Sequence, residues 1–109
     1  MSFEFIENGS ITSPCGFLAS GVTAGFKRSG APDFAMVTSK TPADFAGVFT
    51  SCTFAAAPVR LCRKRVLESN FLKAVIINSG NANACTGEPG MVAAQKSCEI
   101  AAEALGISA

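Results

Sequence analysis

Apolar residues in the first half of the chain occur in short runs separated by turn-forming residues. The runs predict strands at Phe17–Phe26, Phe34–Ser39 and Phe45–Phe54. Polar turns at residues 27–33 and 41–44 connect them, so we expect an antiparallel meander. Residues 1–14 precede these runs and are expected to form an arm or an edge strand.

The second half of the chain changes to helical periodicity. Pro58 suits the first turn of a helix, which we expect to run to Asn70 with an apolar face made of Val59, Cys62 and Val66. A second helix is predicted from Glu88 to Leu105, followed by Gly106 as a left-handed C-terminal residue. Its apolar stripe consists of Met91, Ala94, Cys98, Ala101 and Leu105.

Between the two helices lies a continuous apolar run, Ala74–Ile77, which predicts a short strand covered on both faces. The polar loop that follows should end at Thr86 or Gly87, either of which can cap the second helix. Such a strand–loop–helix corner directs free N–H groups at one point, where an anion or a developing oxyanion can bind. The predicted fold is α/β, a sheet with packed helices, as a single domain or domain fragment over residues 1–109.

The absence of histidine from the 109 residues limits the catalytic chemistry. Ser-His and Cys-His pairs cannot form, so Ser79, Cys85 and Thr86 are expected to have structural roles. Ser79 should bond the loop backbone, Cys85 should be a buried packing residue, and Thr86 should cap the helix. Ser2 would become an N-terminal nucleophile if Met1 were removed, but a mobile terminus makes this a poor site.

Five cysteines stand at positions 15, 52, 62, 85 and 98, with no Cys-x-x-Cys spacing. We expect free thiols, several of them buried, a reducing compartment and no metal site. The acidic N-terminal residues do not resemble a signal or transit peptide, and no apolar run is long enough to cross a bilayer. A cytoplasmic location follows as the expectation.

The formal net charge of +1 argues against nucleic acid as a partner. The single basic cluster, Arg60, Arg63, Lys64 and Arg65, is expected to be a solvated helix face. Only 16% of the residues are charged while 49% are hydrophobic. Either a partner chain covers part of an apolar surface, or alanine-rich helices alone raise the hydrophobic share of the composition.

Residues 78–87 also carry a resemblance. Their sequence, Asn-Ser-Gly-Asn-Ala-Asn-Ala-Cys-Thr-Gly, is similar to the signature of the bifunctional glutamate N-acetyltransferase/ornithine acetyltransferase family of arginine biosynthesis. Ten contiguous residues form a specific signal. The resemblance extends from Gly16 to Ile107 and includes four further segments: Gly16–Val22, Asp33–Val37, Ala46–Thr50 and Ala56–Val59.

The resemblance implies an α/β sandwich that matures by autoproteolysis. It also implies ping-pong transfer of an acetyl group from N2-acetyl-L-ornithine to L-glutamate, with acetyl-CoA as a further donor in some members, and no cofactor or metal. In that family an N-terminal Thr on a second chain is the nucleophile and a Thr-Gly pair forms the oxyanion hole. In that family both lie after the region that the present sequence resembles, which is the front part of the α chain. No catalytic residue is therefore expected here, and the chain alone should be inactive.

The partner implied by the resemblance is the second chain, in a heterotetramer of two α and two β chains. The candidate substrate-pocket residues are Asn81, Asn83 and Thr86, because amides and hydroxyls can bind a carboxylate or an oxyanion. The Asn side chains could instead only hold the loop in shape, which is the favoured interpretation for Asn78. Two other functions remain open: a non-catalytic anion-binding or scaffold domain, and an amidohydrolase or aminopeptidase relative within the family.

Overall fold

A computed structural model describes all 109 residues as three strands and two helices. The elements are β1 (Phe17–Val22), β2 (Phe34–Asp44), α1 (Ala57–Glu68), β3 (Phe71–Asn78) and α2 (Gly87–Leu105). They confirm the predicted α/β class. Residues 1–14 contain only turns and irregular backbone, and all of them are exposed.

The three strands form one sheet in the order β1-β2-β3. β1 and β2 are antiparallel, with Phe17 opposite Ser39 and Val22 opposite Phe34. A hydrogen bond from Ser79 N to Asp33 O, 2.8 Å long, joins the residue after β3 to the residue before β2. Because this bond joins the end of β3 to the beginning of β2, the two neighbouring strands run in opposite directions.

The predicted third strand, Phe45–Phe54, is wrong. This segment is irregular and ends in a turn, and β3 takes the third position in the sheet. Its backbone groups find other partners: Thr50 Oγ1 accepts a hydrogen bond from Cys52 N, and Thr50 O accepts one from Arg63 of α1. Local side-chain bonds of this kind compete with the ladder of a sheet.

The boundaries of the first two strands also differ from the prediction. β2 continues through Asp44, so residues 41–44 belong to the strand and do not form a turn. β1 ends at Val22 instead of Phe26 because the chain turns there around the Asp33 carboxylate. That carboxylate accepts hydrogen bonds from Ala24 N at 2.6 Å and from Lys27 N at 2.8 Å.

The chain folds into two compact units. The first contains residues 1–43 and 72–79, and the second contains residues 44–71 and 80–109. In the second unit α1 packs against α2, and the buried core residues are Ala57, Leu61 and Ala102. Each of these three residues keeps a small part of its surface exposed, 5–7%.

The helices match the predicted periodicity, with local differences. On α2 the first four stripe residues are half-buried as predicted, whereas Leu105 is exposed. On α1, Leu61 is buried and Cys62 is exposed, so the apolar face is rotated from the predicted one. The helix ends at Glu68, two residues before Asn70, because Ser69 adopts an extended conformation.

Gly106 closes α2 as predicted, with φ 64° and ψ 35°. Its N–H donates to Glu103 O, and the N–H of Ile107 donates to Ala102 O. These two bonds form a Schellman motif, which satisfies carbonyl groups that the end of a helix would otherwise leave unpaired.

β3 is longer than predicted and is not covered on both faces. Leu72, Ala74 and Ile76 are half-buried, but Val75 and Ile77 on the opposite face are 51% and 50% exposed. The strand lies at an edge of the sheet, and this chain covers only one of its faces. The apolar run predicted the strand correctly but overstated its burial.

The cysteines are also less buried than predicted. All five are free, and Cys15, Cys52, Cys62 and Cys85 are exposed. Cys98 is half-buried, and burial raises the pKa of its thiol, an effect that the nearby Arg65 opposes. None of the helices combines the length and the apolar character that crossing a membrane requires.

Candidate functional site

The candidate residues of the Asn-rich loop are joined by hydrogen bonds. Asn81 Nδ2 donates to Asn83 Oδ1 at 3.4 Å, and Thr86 Oγ1 donates to the backbone oxygen of Asn83 at 3.3 Å. Asn83 is half-buried, whereas Asn81 and Thr86 are exposed. Asn83 therefore links the other two, and its backbone and side chain both take part in the loop structure.

The backbone around Thr86 has an unusual conformation. Cys85 and Gly87 both have positive φ, 56° and 61°, so the residues on either side of Thr86 are left-handed. Glycine adopts this region at little cost, but for Cys85 it is strained. The turn therefore holds Thr86 in one place at the start of α2.

Thr86 occupies the N-cap position of α2, but its hydroxyl does not cap the helix. The helix begins at Gly87, one residue before the predicted start, and the Thr86 carbonyl accepts the N–H of Gly90. The hydroxyl instead bonds the Asn83 carbonyl, so the predicted capping role is wrong. Gly90 makes this arrangement possible, because a Cβ at position 90 would overlap the Thr86 side chain.

A shallow cleft of about 240 Å³ lies in the second unit beside Thr86. Two segments line it, one around the start of α1 and one before α2: Thr53, Phe54, Ala55, Ala57, Arg60, Cys85, Thr86 and Gly87. Asn81 and Asn83 are not among the lining residues. Of the three predicted pocket residues, the structure thus places only Thr86 in the cleft.

The charge at the cleft comes from α1. Three of its four basic side chains are engaged within the chain: Arg63 with Thr50 O at 2.6 Å, Lys64 with Glu68 at 3.7 Å, and Arg65 with Ala109 O at 3.3 Å. The guanidinium of Arg63 also lies 5.8 Å from the centre of the Phe49 ring. Arg60 makes none of these contacts, and it is the one that lines the cleft.

The N-terminal ends of both helices border the same cleft, through Ala57 and Gly87. Neither helix has a side-chain cap, so N–H groups of both first turns remain available. Together with Arg60 they make the cleft suitable for a carboxylate or another anion, although Glu88 in the first turn of α2 opposes this.

Two contributors to this site were missed at the level of sequence. From the sequence, Arg60 was assigned to a solvated basic helix face. Only its place on the first turn of α1 distinguishes it from the other three basic residues of that cluster. Gly90 lies inside the predicted helix Glu88–Leu105 and was given no role of its own. A glycine three positions after another glycine near a helix start was the available signal for a close approach. No three His, Cys, Asp or Glu side chains lie close enough together to hold a metal ion.

Comparison with known families gives a consistent result. The model of the ArgJ family matches residues 18–109. The arginine biosynthesis bifunctional protein ArgJ of Thermosynechococcus vestitus is 48% identical over 100 residues, which are 92% of this chain and 24% of that protein. The ArgJ protein of Mycobacterium leprae is 53% identical over 97 residues, 87% of this chain and 23% of that protein.

Solved structures agree with these matches. The arginine biosynthesis bifunctional protein ArgJ of Bacillus halodurans superposes with a TM-score of 0.87 at 37% identity, covering 92% of this chain and 52% of that chain. Ornithine acetyltransferase of Mycobacterium tuberculosis, solved in complex with ornithine, gives a TM-score of 0.81 at 48% identity. The match covers 88% of this chain and 50% of that chain.

The chain therefore spans about a quarter of the length of these curated relatives and about half of each solved chain. The sequence match and the superposition both extend over most of its residues. The present chain belongs to the ArgJ family.

Proposed function

We propose that this chain is part of an acetyltransferase of arginine biosynthesis that moves the acetyl group of N2-acetyl-L-ornithine to L-glutamate. Acetyl-CoA would be a second donor if the enzyme is bifunctional. The observation that carries the proposal is the ArgJ match over residues 18–109, which includes the complete Asn78–Gly87 motif. The chain's contribution would be structural support and part of a substrate-binding surface.

The nucleophile would come from a second chain with an N-terminal Thr. Its hydroxyl attacks the acetyl carbonyl while the α-amine takes the proton, and ornithine leaves as the amine. The glutamate amine then attacks the acyl-Thr ester, which restores the hydroxyl and releases N-acetylglutamate. Hydrogen-bond donors of an oxyanion hole stabilise both tetrahedral intermediates.

The relative lengths support a two-chain enzyme. This chain is about a quarter of a curated relative but about half of a solved chain, so each solved chain is about half as long as a curated relative. That ratio is what cleavage of a precursor into two chains of similar size produces. A heterotetramer of two such pairs is the assembly we propose, and the free cysteines suit a cytoplasmic location.

Within this assembly we propose that Asn81, Asn83 and Thr86 face the substrate. The support is local: Thr86 lines a cleft that has an unpaired arginine and two helix N-termini. The Asn83 side chain and backbone hold Asn81 and Thr86 next to each other. A substrate carboxylate matches the charge of the cleft.

The proposal is tested by assaying the purified chain with acetylornithine and glutamate, alone and after coexpression with the complementary remainder of an ArgJ protein, which supplies both the nucleophile and the oxyanion pair. We expect no turnover above background by the chain alone and acetylglutamate formation by the complex. Turnover by the isolated chain would refute the two-chain mechanism. A correctly assembled complex without any transfer activity would refute the acetyltransferase assignment.

A non-catalytic anion-binding function is the second candidate, and the cleft beside Arg60 is the observation that favours it. Intact mass and N-terminal sequencing of every copurifying polypeptide separate the two. A second chain that begins with Thr favours the enzyme, whereas a lone homogeneous chain favours the binding domain. Transfer of the acyl group to water in place of glutamate would instead indicate an amidohydrolase or aminopeptidase relative.

A further inference from the structure

One end of the sheet brings three segments of the first unit together around Asp33. The N–H of Asp33 donates to Val22 O at the end of β1, 3.1 Å away, and its carbonyl accepts the N–H of Ser79 after β3 at 2.8 Å. The carboxylate accepts the backbone N–H groups of Ala24 and Lys27. Every polar group of Asp33 is thus engaged, so this residue fixes the positions of its neighbours.

The side chain of Lys27 is held at the same end of the sheet. Its ammonium donates to the Pro32 carbonyl at 3.0 Å, and the residue is half-buried. The chain has no cis peptide bond, so the Pro32 carbonyl points away from the N–H of Asp33 and therefore away from β1. The Asp33 carbonyl, which bonds Ser79, also points to the β3 side. The Lys27 ammonium and Ser79 therefore lie on the same side of residues 32–33.

Both side chains keep unused hydrogen-bonding groups. An ammonium has three N–H donors, and that of Lys27 uses one of them and forms no ion pair. Ser79 was expected to bond the loop backbone, but only its N–H is engaged, and its hydroxyl has no partner in the chain. The negative charge of Asp33 opposes anion binding, but its carboxylate is buried and both oxygens accept backbone N–H groups. That charge is therefore compensated locally, and the ammonium remains available.

We propose that Lys27 and Ser79 bind the α-carboxylate of an amino acid. The ammonium donates to one carboxylate oxygen and the Ser79 hydroxyl donates to the other. One cation matches a monovalent carboxylate better than a divalent phosphate, which would stay half neutralised. The choice of an amino acid rests on the proposed function, whose two substrates, N2-acetyl-L-ornithine and L-glutamate, both have an α-carboxylate. The site contains only residues of the first unit, whereas the cleft beside Arg60 belongs to the second.

The test uses the chain and the complementary remainder of the Thermosynechococcus vestitus ArgJ protein, coexpressed and purified together. NMR follows the isotope-labelled Lys27 side chain and the Ser79 amide while L-glutamate or L-arginine is added. We expect both signals to shift until the site is saturated, whereas Lys64, which pairs with Glu68, stays unchanged. Isoglutamine, in which the α-carboxylate is an amide, should cause no shift. A Lys27 signal that neither amino acid moves, or that isoglutamine moves equally, would overturn the proposal.

Substitutions give a second readout at the Ser79 amide. Lys27→Met removes only the ammonium, because the bond to Asp33 is made by the backbone N–H, and it should weaken glutamate binding by about 10- to 100-fold. Lys27→Arg keeps the positive charge and should retain most of the affinity. Arg28→Met is the matched control, because Arg28 is the neighbouring exposed cation of the same turn. Equal affinities of Lys27→Met and Arg28→Met would contradict the site.

Kinetics on the same complexes identify the source of the carboxylate. A raised KM for glutamate in Lys27→Met assigns the site to the substrate, and an unchanged KM with Lys27-dependent shifts assigns it to an amino acid bound outside the active site. Weaker association of Lys27→Met with the remainder, without any amino-acid-dependent shift, would assign Lys27 to an ion pair between chains and overturn the proposal. Shifts without acetyl transfer would contradict only the proposed function, and transfer without shifts would contradict only the carboxylate site.

Discussion

At the scale of single residues, Asp33 determines how the first unit turns between β1 and β2. It is 3% exposed, and its carboxylate accepts backbone hydrogen bonds from Lys27 and Ala24. These bonds hold the pKa of Asp33 below its ordinary value. The sequence indicated a polar turn here but gave no sign that one carboxylate organises it, because Asp is common in turns for several reasons.

We expect Asp33→Asn to destabilise the chain at neutral pH, because an amide is a weaker acceptor and places an N–H group near two donors. The lowered pKa means that the native carboxylate contributes stability above its unfolded pKa and loses it as the pH falls through the folded pKa. Urea unfolding of the native chain should therefore weaken on acidification, and the variant should show a flatter profile. Asp44→Asn, at an exposed carboxylate, is the control. Equal pH profiles for the native chain and Asp33→Asn would contradict this role.

Gly90 is the second residue whose role only the structure reveals. Replacing a helical glycine by alanine normally stabilises a helix by about 0.5–1 kcal/mol. At position 90 the added Cβ would overlap both Oγ1 and Cβ of Thr86, so rotation of the Thr86 side chain cannot relieve the clash. We expect Gly90→Ala to destabilise the chain by about 1–3 kcal/mol in thermal unfolding. Ser97→Ala in the middle of α2 should not, and a stabilised Gly90→Ala variant would refute the close packing.

The Asn residues can be tested in the two-chain enzyme. If Asn81 contacts substrate, Asn81→Ala should lower kcat/KM by about 10- to 100-fold, which corresponds to a lost hydrogen bond of about 1.5–3 kcal/mol to a charged group. Maturation and thermal midpoint should change little. Asn83→Ala should affect stability as well, because Asn83 holds Asn81 and Thr86. Reduced cleavage with normal turnover per matured molecule would show that the loop amides only maintain shape.

At the scale of elements, a helix or strand could be predicted well where its hydrophobic periodicity repeats over many residues. α2 was predicted within one residue of both ends, because its apolar stripe continues over about four turns and Gly106 marks its end. Residues 45–54 were misassigned as a strand because a short apolar run also fits an irregular segment. There the backbone forms hydrogen bonds at Thr50 in place of a strand ladder. One of them is local, from Cys52 N, and the other comes from Arg63 on α1, which a local sequence pattern cannot predict.

The α1–α2 packing gives a prediction with an internal control. Leu61 is 5% exposed, whereas Leu67 on the same helix is 83% exposed. We expect Leu61→Ala to reduce the free energy of unfolding by about 2–5 kcal/mol, because it leaves a cavity in a small core. Leu67→Ala should change it by less than about 0.5 kcal/mol. Denaturant unfolding followed by circular dichroism measures both, and equal losses would contradict the assignment of the core.

At the scale of the whole molecule, the family and the fold class could be predicted from the sequence, whereas the candidate site could be only in part. The motif at residues 78–87 was sufficient for the family because it is long and has no gaps. The cleft was not predictable, because Arg60 and Thr86 are 26 positions apart in the chain and only the packing of α1 on α2 brings them together. Burial was also overestimated, since an apolar strand does not reveal which chain will cover it.

The cysteines give a prediction for the whole chain. All five should react with a thiol reagent under denaturing, non-reducing conditions. In the native chain the four exposed thiols should react first and Cys98 last, because its burial and raised pKa both reduce the thiolate available. Stopped-flow labelling near neutral pH resolves the two classes. A disulfide in protein kept free of oxidant would contradict the cytoplasmic assignment.

The division of the chain has a consequence for synthesis on the ribosome. The first unit needs residues 72–79, which emerge only after the whole segment 44–71 of the second unit. The β1–β2 hairpin can therefore form early, but the edge of β2 that β3 will occupy stays open while about 27 further residues are made. A nascent chain arrested before residue 72 would expose a two-stranded ribbon in which the edge of β2 is unpaired. This is the species to which a ribosome-associated chaperone would bind.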